Sequence, residues 1–402
     1  MTGTDRRLHI TTIVTRFQAG AGVVALRGAR GLDPNRFRVS VVAGSGDHLL
    51  DEAAAAGFEV TVVPELGPTL SPTADARALR RLTALLELSR PDVVHTHSAK
   101  AGTLGRLAAR SAGVPRIVHT YHGFPFHEFQ SSARRAAYVA VERHVGRFTD
   151  AGLCVGVGVA AEAVQRRLIA PERITTIGVT VDESAPVCTP RRRAAARHTL
   201  GVAPDATVVG AVGRLTYQKA PEDFVAALAR LARPGLVGVW IGGGELARQV
   251  EEAARRAAPR VRIVLAGERR DVPALLPAFD VFALPSRYEG LPVAVVEAMV
   301  CGIPVVATAV NAVSDVVIPG VTGLLVPPER PHLFADAIAH LLDHPGTAAD
   351  MAAAGRRRLI ARHSDAELAD ALVSAYEAAP TFPMATAIAV NHAANREERT
   401  CI

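Results

Sequence analysis

Short runs rich in Val, Ile and Thr recur along the chain, separated by longer segments whose apolar positions fall three and four residues apart. The first pattern predicts strands and the second amphipathic helices. Strands are expected at 8–15, 37–44, 58–64, 92–97, 116–121, 150–157 and 173–179, and again at 206–213, 235–242, 261–267, 281–286, 303–308 and 322–327. Helical patterns fill the intervals, for example 74–89 and 131–148. In the latter, Tyr138, Val141, Val145 and Phe148 share one face, opposite Arg143 and Arg147. Such alternation builds parallel sheets covered by helices. Two similar doubly wound α/β domains follow, over 1–185 and 186–380, with ligands expected at strand C-termini in the crevice between them. The segment 381–402 lacks periodicity and is expected to be a disordered tail.

Composition narrows the class. With 402 residues, the chain exceeds one typical core. Mean hydropathy is +0.20, yet no apolar run approaches the roughly eighteen residues of a spanning helix. The first residues lack the apolar stretch of a signal peptide. Four scattered cysteines show no metal-ligand spacing, and a reducing, cytoplasmic setting is expected. The formal charge of +6 suits an anionic substrate or a membrane surface. Aromatic residues are only 4%, and no basic–aromatic platform for nucleic acid appears.

Chemistry concentrates in five segments. After the strand ending near Pro285 come Glu289, Gly290 and Leu291, then a helix carrying Glu297. Amides at that helix start attract anions, so a diphosphate suits Gly290 and Leu291, and the Glu297 carboxylate suits ribose hydroxyls. Arg214 and Lys219 follow the strand ending at Gly213 and flank a turn into a helix, where the helix dipole disfavours cations. A bound diphosphate offsets that cost, whereas the bland reading is surface charge. His122 beside Gly123, at a strand end, can reach a cleft or sit in the core. Gly20 and Gly22 precede a helix without spelling a dinucleotide-binding loop. His97 and Lys100, at the end of another strand, are candidates for acceptor contact. No Asp-x-Asp occurs. Neither a metal nor another cofactor is therefore expected, the cations standing in for one.

Together these segments resemble the retaining glycosyltransferases of the GT-B fold, glycosyltransferase family 4. The likeness covers nearly all of 8–380 and is strongest from 208 to 327, where Glu289 and Glu297 match the family's E-x7-E motif. It implies two Rossmann-like domains facing across a cleft. Arg214 and Lys219 would bind the donor diphosphate, Glu297 the ribose, and Glu289 would lie beside the transferred sugar. His122 matches a histidine that contacts that sugar. The family's adjacent glycine pair is split here by Ala21. The N-terminal half looks like bacterial members that build surface polysaccharide or antibiotic sugars. The partners implied are a nucleotide-sugar, by family frequency a UDP-sugar, and an acceptor saccharide or small molecule. Peripheral contact with a membrane's inner face is a further expectation. Two rival readings share the fold: a nucleotide-sugar epimerase, which needs no acceptor, and a non-catalytic binding subunit.

Overall fold

A computed structural model describes residues 7–178, 187–290, 292–360 and 365–378. Leu291, residues 179–186 around the expected domain boundary and the expected tail 381–402 lie outside the described residues. The first unit runs β1 (Leu8–Phe17), α1 (Ala19–Gly31), β2 (Phe37–Gly46), α2 (His48–Ala55), β3 (Glu59–Val62), α3 (Pro72–Ser89), β4 (Val93–His97), α4 (Ala99–Ser111), β5 (Arg116–Tyr121), α5 (Ser132–Gly146), β6 (Ala151–Cys154), α6 (Val157–Gln165) and β7 (Ile174–Thr176). All seven strands are parallel, in the order β3-β2-β1-β4-β5-β6-β7.

The second unit runs α7 (Pro190–Thr199), β8 (Thr207–Val212), α8 (Pro221–Leu231), β9 (Leu236–Ile241), α9 (Ala247–Ala257), β10 (Arg262–Leu265), α10 (Val272–Leu275), β11 (Val281–Leu284), α11 (Val293–Cys301), β12 (Val305–Thr308), α12 (Val313–Val316), β13 (Leu324–Val326), α13 (Pro331–Asp343) and α14 (Pro345–Ile360). Its six parallel strands follow the order β10-β9-β8-β11-β12-β13. Every expected strand is present, shifted by at most a few residues at its ends. β4, β5, β9, β11 and β12 are buried along their whole length, as parallel strands covered on both faces must be.

Strand order reverses between β1 and β4 in the first sheet, and between β8 and β11 in the second. Chain leaving adjacent strands diverges at such a point and opens a crevice beyond their C-terminal ends. Most of the expected chemistry follows these same strands, with residues 18–22 after β1, 98–100 after β4, 214–219 after β8 and 286–290 after β11, while His122 follows the neighbouring β5.

Two expectations change. The last helix, α15 (Asp365–Glu377), falls within 186–380 but packs on the first unit, burying Leu368, Leu372, Ala375 and Tyr376 with Val24, Ala29 and Val93. The expected apolar face of α5 holds only in part: Val145 is buried and Tyr138 and Phe148 pack against core side chains, but Val141 is 43% exposed while Val139 and Glu142 are buried. Glu142 turns inward because Arg106 on α4, itself fully buried, donates to it at 2.7 Å. A buried ion pair thus displaces an apolar stripe. No helix among the described residues is long and apolar enough to cross a membrane.

Candidate functional site

A cleft of about 1760 Å³ lies between the two sheets, lined by the strand-end loops of both. On its second-unit wall, the loop after β11 folds Glu289 inward until it is 6% exposed. The carboxylate is held from three sides. Ser286 Oγ donates to Oε1 at 2.6 Å, Lys219 Nζ donates to the same oxygen at 2.5 Å, and Gln218 Nε2 donates to Oε2 at 3.3 Å. The Glu289 amide donates to Asn311 Oδ1 at 3.2 Å. Asn311 has φ 42°, a left-handed conformation that asparagine tolerates better than most residues.

Arg287 joins this loop to the turn bearing Lys219. Its guanidinium donates to the Tyr217 carbonyl at 2.8 Å and to Glu222 at 2.7 Å, and it lies 4.2 Å from the Tyr217 ring centroid. The loops after β8 and β11 are therefore tied together. Lys219 spends one N–H on Glu289 and keeps two for a ligand. Arg214 is exposed in the cleft, and its guanidinium makes no hydrogen bond or ion pair among the described residues. Glu297 lies on α11 in the same wall, where burial pushes its carboxyl up to about 7 against the opposing pull of Arg27.

The first-unit wall carries His122, just past β5. His122 Nε2 lies 2.9 Å from His97 Nδ1, and burial pushes its imidazole down to about 4. It is therefore neutral near pH 7, a hydrogen-bonding group and not a cation. His97 itself is 2% exposed and sits behind His122, away from the cleft lining. The expected acceptor contact by His97 is thus corrected: both faces of β4 are covered, so its side chain meets a neighbour and not a ligand. Lys100 lines the cleft but forms an ion pair with Asp75 at 2.5 Å and donates to the Thr69 carbonyl.

Gly20 also reaches the cleft, where an added Cβ would stand 3.3 Å from Val293 on the opposite wall. Gly22 does not line it. Its hydrogen faces the Phe17 backbone, where a Cβ would come within 2.8 Å, so this glycine serves the tight β1–α1 turn. Gly290 is pressed against the His122 carbonyl oxygen, and a Cβ there would fall 1.5 Å from it. The structure thus brings Arg214, Lys219, Glu289, Gly290, Glu297, His122 and Gly20 to one cleft, with Lys100 at its rim. Sequence reasoning missed Ser286, Gln218, Arg287 and Asn311, which hold the acidic loop. Only Ser286 carried a signal, as a small polar residue at the end of a buried strand. Among the described residues, no group of three or more His, Cys, Asp and Glu side chains is arranged to hold a metal ion.

Residues 19–185 match the family model for Glycosyltransferase Family 4, and residues 193–358 match that for Glycosyl transferases group 1. An Escherichia coli UDP-Gal:alpha-D-GlcNAc-diphosphoundecaprenol alpha-1,3-galactosyltransferase is 31% identical over 81% of this chain and 85% of its own. A D-inositol 3-phosphate glycosyltransferase of Kribbella flavida is 34% identical over 68% of each chain. Among solved structures, the Anabaena protein HepE in complex with UDP and glucose superposes with a TM-score of 0.79 at 20% identity, covering 92% of this chain and 99% of that one. Sucrose-phosphate synthase from Thermosynechococcus elongatus gives 0.77 at 22% identity, covering 92% and 98%. Two parallel-sheet domains, a cleft at both switch points and similarity along most of the chain agree: this protein is a GT-B glycosyltransferase that uses a nucleotide-sugar donor, a member of glycosyltransferase family 4, group 1.

Proposed function

We propose that the enzyme transfers a sugar, with retention at the anomeric carbon, from a UDP-sugar to a hydroxyl of a lipid-linked saccharide or a small-molecule natural product. The observation that carries this reading is the arrangement of the second-unit wall. An unpaired Arg214 and a Lys219 with spare donors stand beside the fixed Glu289 carboxylate, with Glu297 farther along the cleft. Cleavage of the donor develops negative charge on the departing diphosphate, and Arg214 and Lys219 stabilise it where it forms. Their charge makes the donor site independent of a metal. Glu297 accepts from the ribose hydroxyls, Glu289 borders the transferred sugar, and neutral His122 hydrogen-bonds that sugar from the opposite wall. No covalent nucleophile is assigned. The departing phosphate itself takes the acceptor proton on the face where the new bond forms.

Uracil as the base is supported by the UDP-Gal donor in the Escherichia coli relative's name and by the UDP held in HepE. The relative's diphosphoundecaprenol acceptor supports a lipid-linked saccharide and a cytoplasmic site at the membrane's inner face. The exposed Arg134, Arg143 and Arg147 are the proposed contacts with an anionic bilayer. Sedimentation with anionic liposomes at low salt tests that contact, and absence of binding removes it.

A thermal-shift screen over nucleotide-sugars tests the donor. UDP-sugars are expected to raise the melting temperature as RT ln(1 + [L]/Kd), and Arg214→Ala to abolish most of the shift. GDP-sugars outperforming UDP-sugars would overturn the base assignment. Transfer that fails in EDTA and returns with a divalent cation would overturn metal independence. The anomeric configuration of the product, read by NMR, decides retention.

A further inference from the structure

β4 and β5 place four histidines within one buried layer and its cleft edge. His95 Nδ1 lies 2.6 Å from the Tyr376 hydroxyl, and its Nε2 lies 2.7 Å from Thr120 Oγ1. His119 Nδ1 lies 2.8 Å from Thr96 Oγ1. Those partners are hydroxyls, which donate or accept as the ring requires. The contact between His97 and His122 has no such freedom. Both imidazoles are neutral near pH 7, because burial lowers both, and for His97 the neighbouring His95, His122 and His119 lower it further. A single proton lies between the facing nitrogens, and the ring that owns it fixes the tautomer of both.

The remaining nitrogen of His97 decides which ring that is. His97 Nε2 is buried and has no hydrogen-bond partner. If His122 Nε2 donated to His97 Nδ1, the proton of His97 would sit on that orphaned Nε2. A buried unpaired N–H is costly, and unpaired buried donors are rarer than under-satisfied acceptors. If His97 Nδ1 donates, its Nε2 carries only a lone pair, and no N–H is stranded.

We propose that His97 is a positioning residue that donates its Nδ1–H to His122 Nε2, locking His122 in the tautomer whose proton sits on Nδ1, the nitrogen left for the substrate. The cleft is then met by a fixed N–H from the first-unit wall. Such a donor discriminates in favour of a sugar with an oxygen at that point, because an analogue without one leaves the N–H unpaired. The functional consequence rests on the reading of His122 as a sugar contact. The tautomer itself does not.

Two-bond 1H–15N correlation spectra of the full chain, labelled with 15N-histidine at pH 7.5 and assigned with His97→Asn and His122→Asn, read the tautomers directly. His97 and His122 are both expected to be protonated on Nδ1. In His97→Asn the side-chain amide supplies an N–H near the same place, so His122 keeps its tautomer and slow UDP release from UDP-galactose is retained. In His97→Leu the His122 signals are expected to move towards a tautomer mixture. UDP release then falls about tenfold or more in kcat, with little change in the KM for UDP-galactose. A wild-type His122 protonated on Nε2 overturns the proposal, as does His97→Leu with unchanged His122 signals. Should His97→Leu not fold, the wild-type and His97→Asn spectra still decide. Should UDP-galactose not be turned over at all, the donor reading suffers while the tautomer assignment stands or falls by the spectra.

Discussion

The binding role proposed for Glu297 comes with a cost to stability. Its ordinary value of 4.5 rises to about 7 in the cleft wall. Between these values the folded chain holds a proton that the unfolded chain releases, so stability from this group is full below pH 4.5 and lost as pH rises through 7. Glu297→Gln is therefore expected to be more stable than the parent at pH 8, by at most about 3 kcal/mol, and nearly equal to it at pH 5. The same variant should bind UDP-sugars more weakly, since a carboxylate accepts from two hydroxyls better than an amide does. Melting curves at the two pH values check the sign, and equal differences at both would place the carboxyl at an ordinary value. The pair Glu289 and Glu297 was legible because two acidic residues with seven between them span a loop and a helix at a strand end. The burial of His97 was not legible. Period-two alternation puts His95 and His97 on one face of β4, but a strand covered on both faces gives no sequence signal of which histidine meets solvent.

The strands were the most readable elements, because runs of Val and Ile between turn residues need only local pattern to be recognised. The destination of α15 was not readable. Its apolar positions Leu368, Leu372 and Tyr376 mark a buried face but carry no label for the surface that covers it. The structure shows that surface to be α1 and the first sheet, with a Cβ on Gly28 only 2.6 Å from Leu372. Leu372→Ala is expected to destabilise the first unit by about 2–5 kcal/mol, the range for an apolar deletion in a close-packed site. Tyr376→Phe removes the partner of His95 Nδ1 and should cost about 1–3 kcal/mol. Chemical denaturation of the two variants measures both. If instead α15 contributes little, a chain ending at 360 will unfold at the parent's midpoint. The misread face of α5 has a similar origin: the Arg106–Glu142 pair joins residues 36 apart, and no helical period contains it.

Several contacts between the two units run through glycine backbone. Gly290 abuts the His122 carbonyl and Gly123, Gly20 faces Val293, and the Gly158 amide donates to Asp315 at 3.0 Å. His127 stacks on Tyr288 with ring centroids 4.1 Å apart, and Phe129 meets Tyr217 edge-on at 6.1 Å, so aromatic contacts also cross the gap. Glycine at these points lets the walls close until His122 and Glu289 line the same cleft. Gly290→Ala tests whether that closure is the working state. Its Cβ would lie 1.5 Å from the His122 oxygen, whereas ordinary contact needs about 3.5 Å, so the loops must part by roughly 2 Å. Each unit keeps its own core, so the melting temperature should hardly change. Small-angle scattering should report a more open molecule, and transfer should fall about a hundredfold, the scale set by an ångström of misplacement between reacting groups. Gly346→Ala is the control, since nothing lies within 4 Å of an added Cβ there. Parent-like turnover by Gly290→Ala, with the scattering profile shifted, would mean that the enzyme works with the walls apart. The proposed contact of His122 with the donor sugar would then need some other route than the closure seen between the two loops.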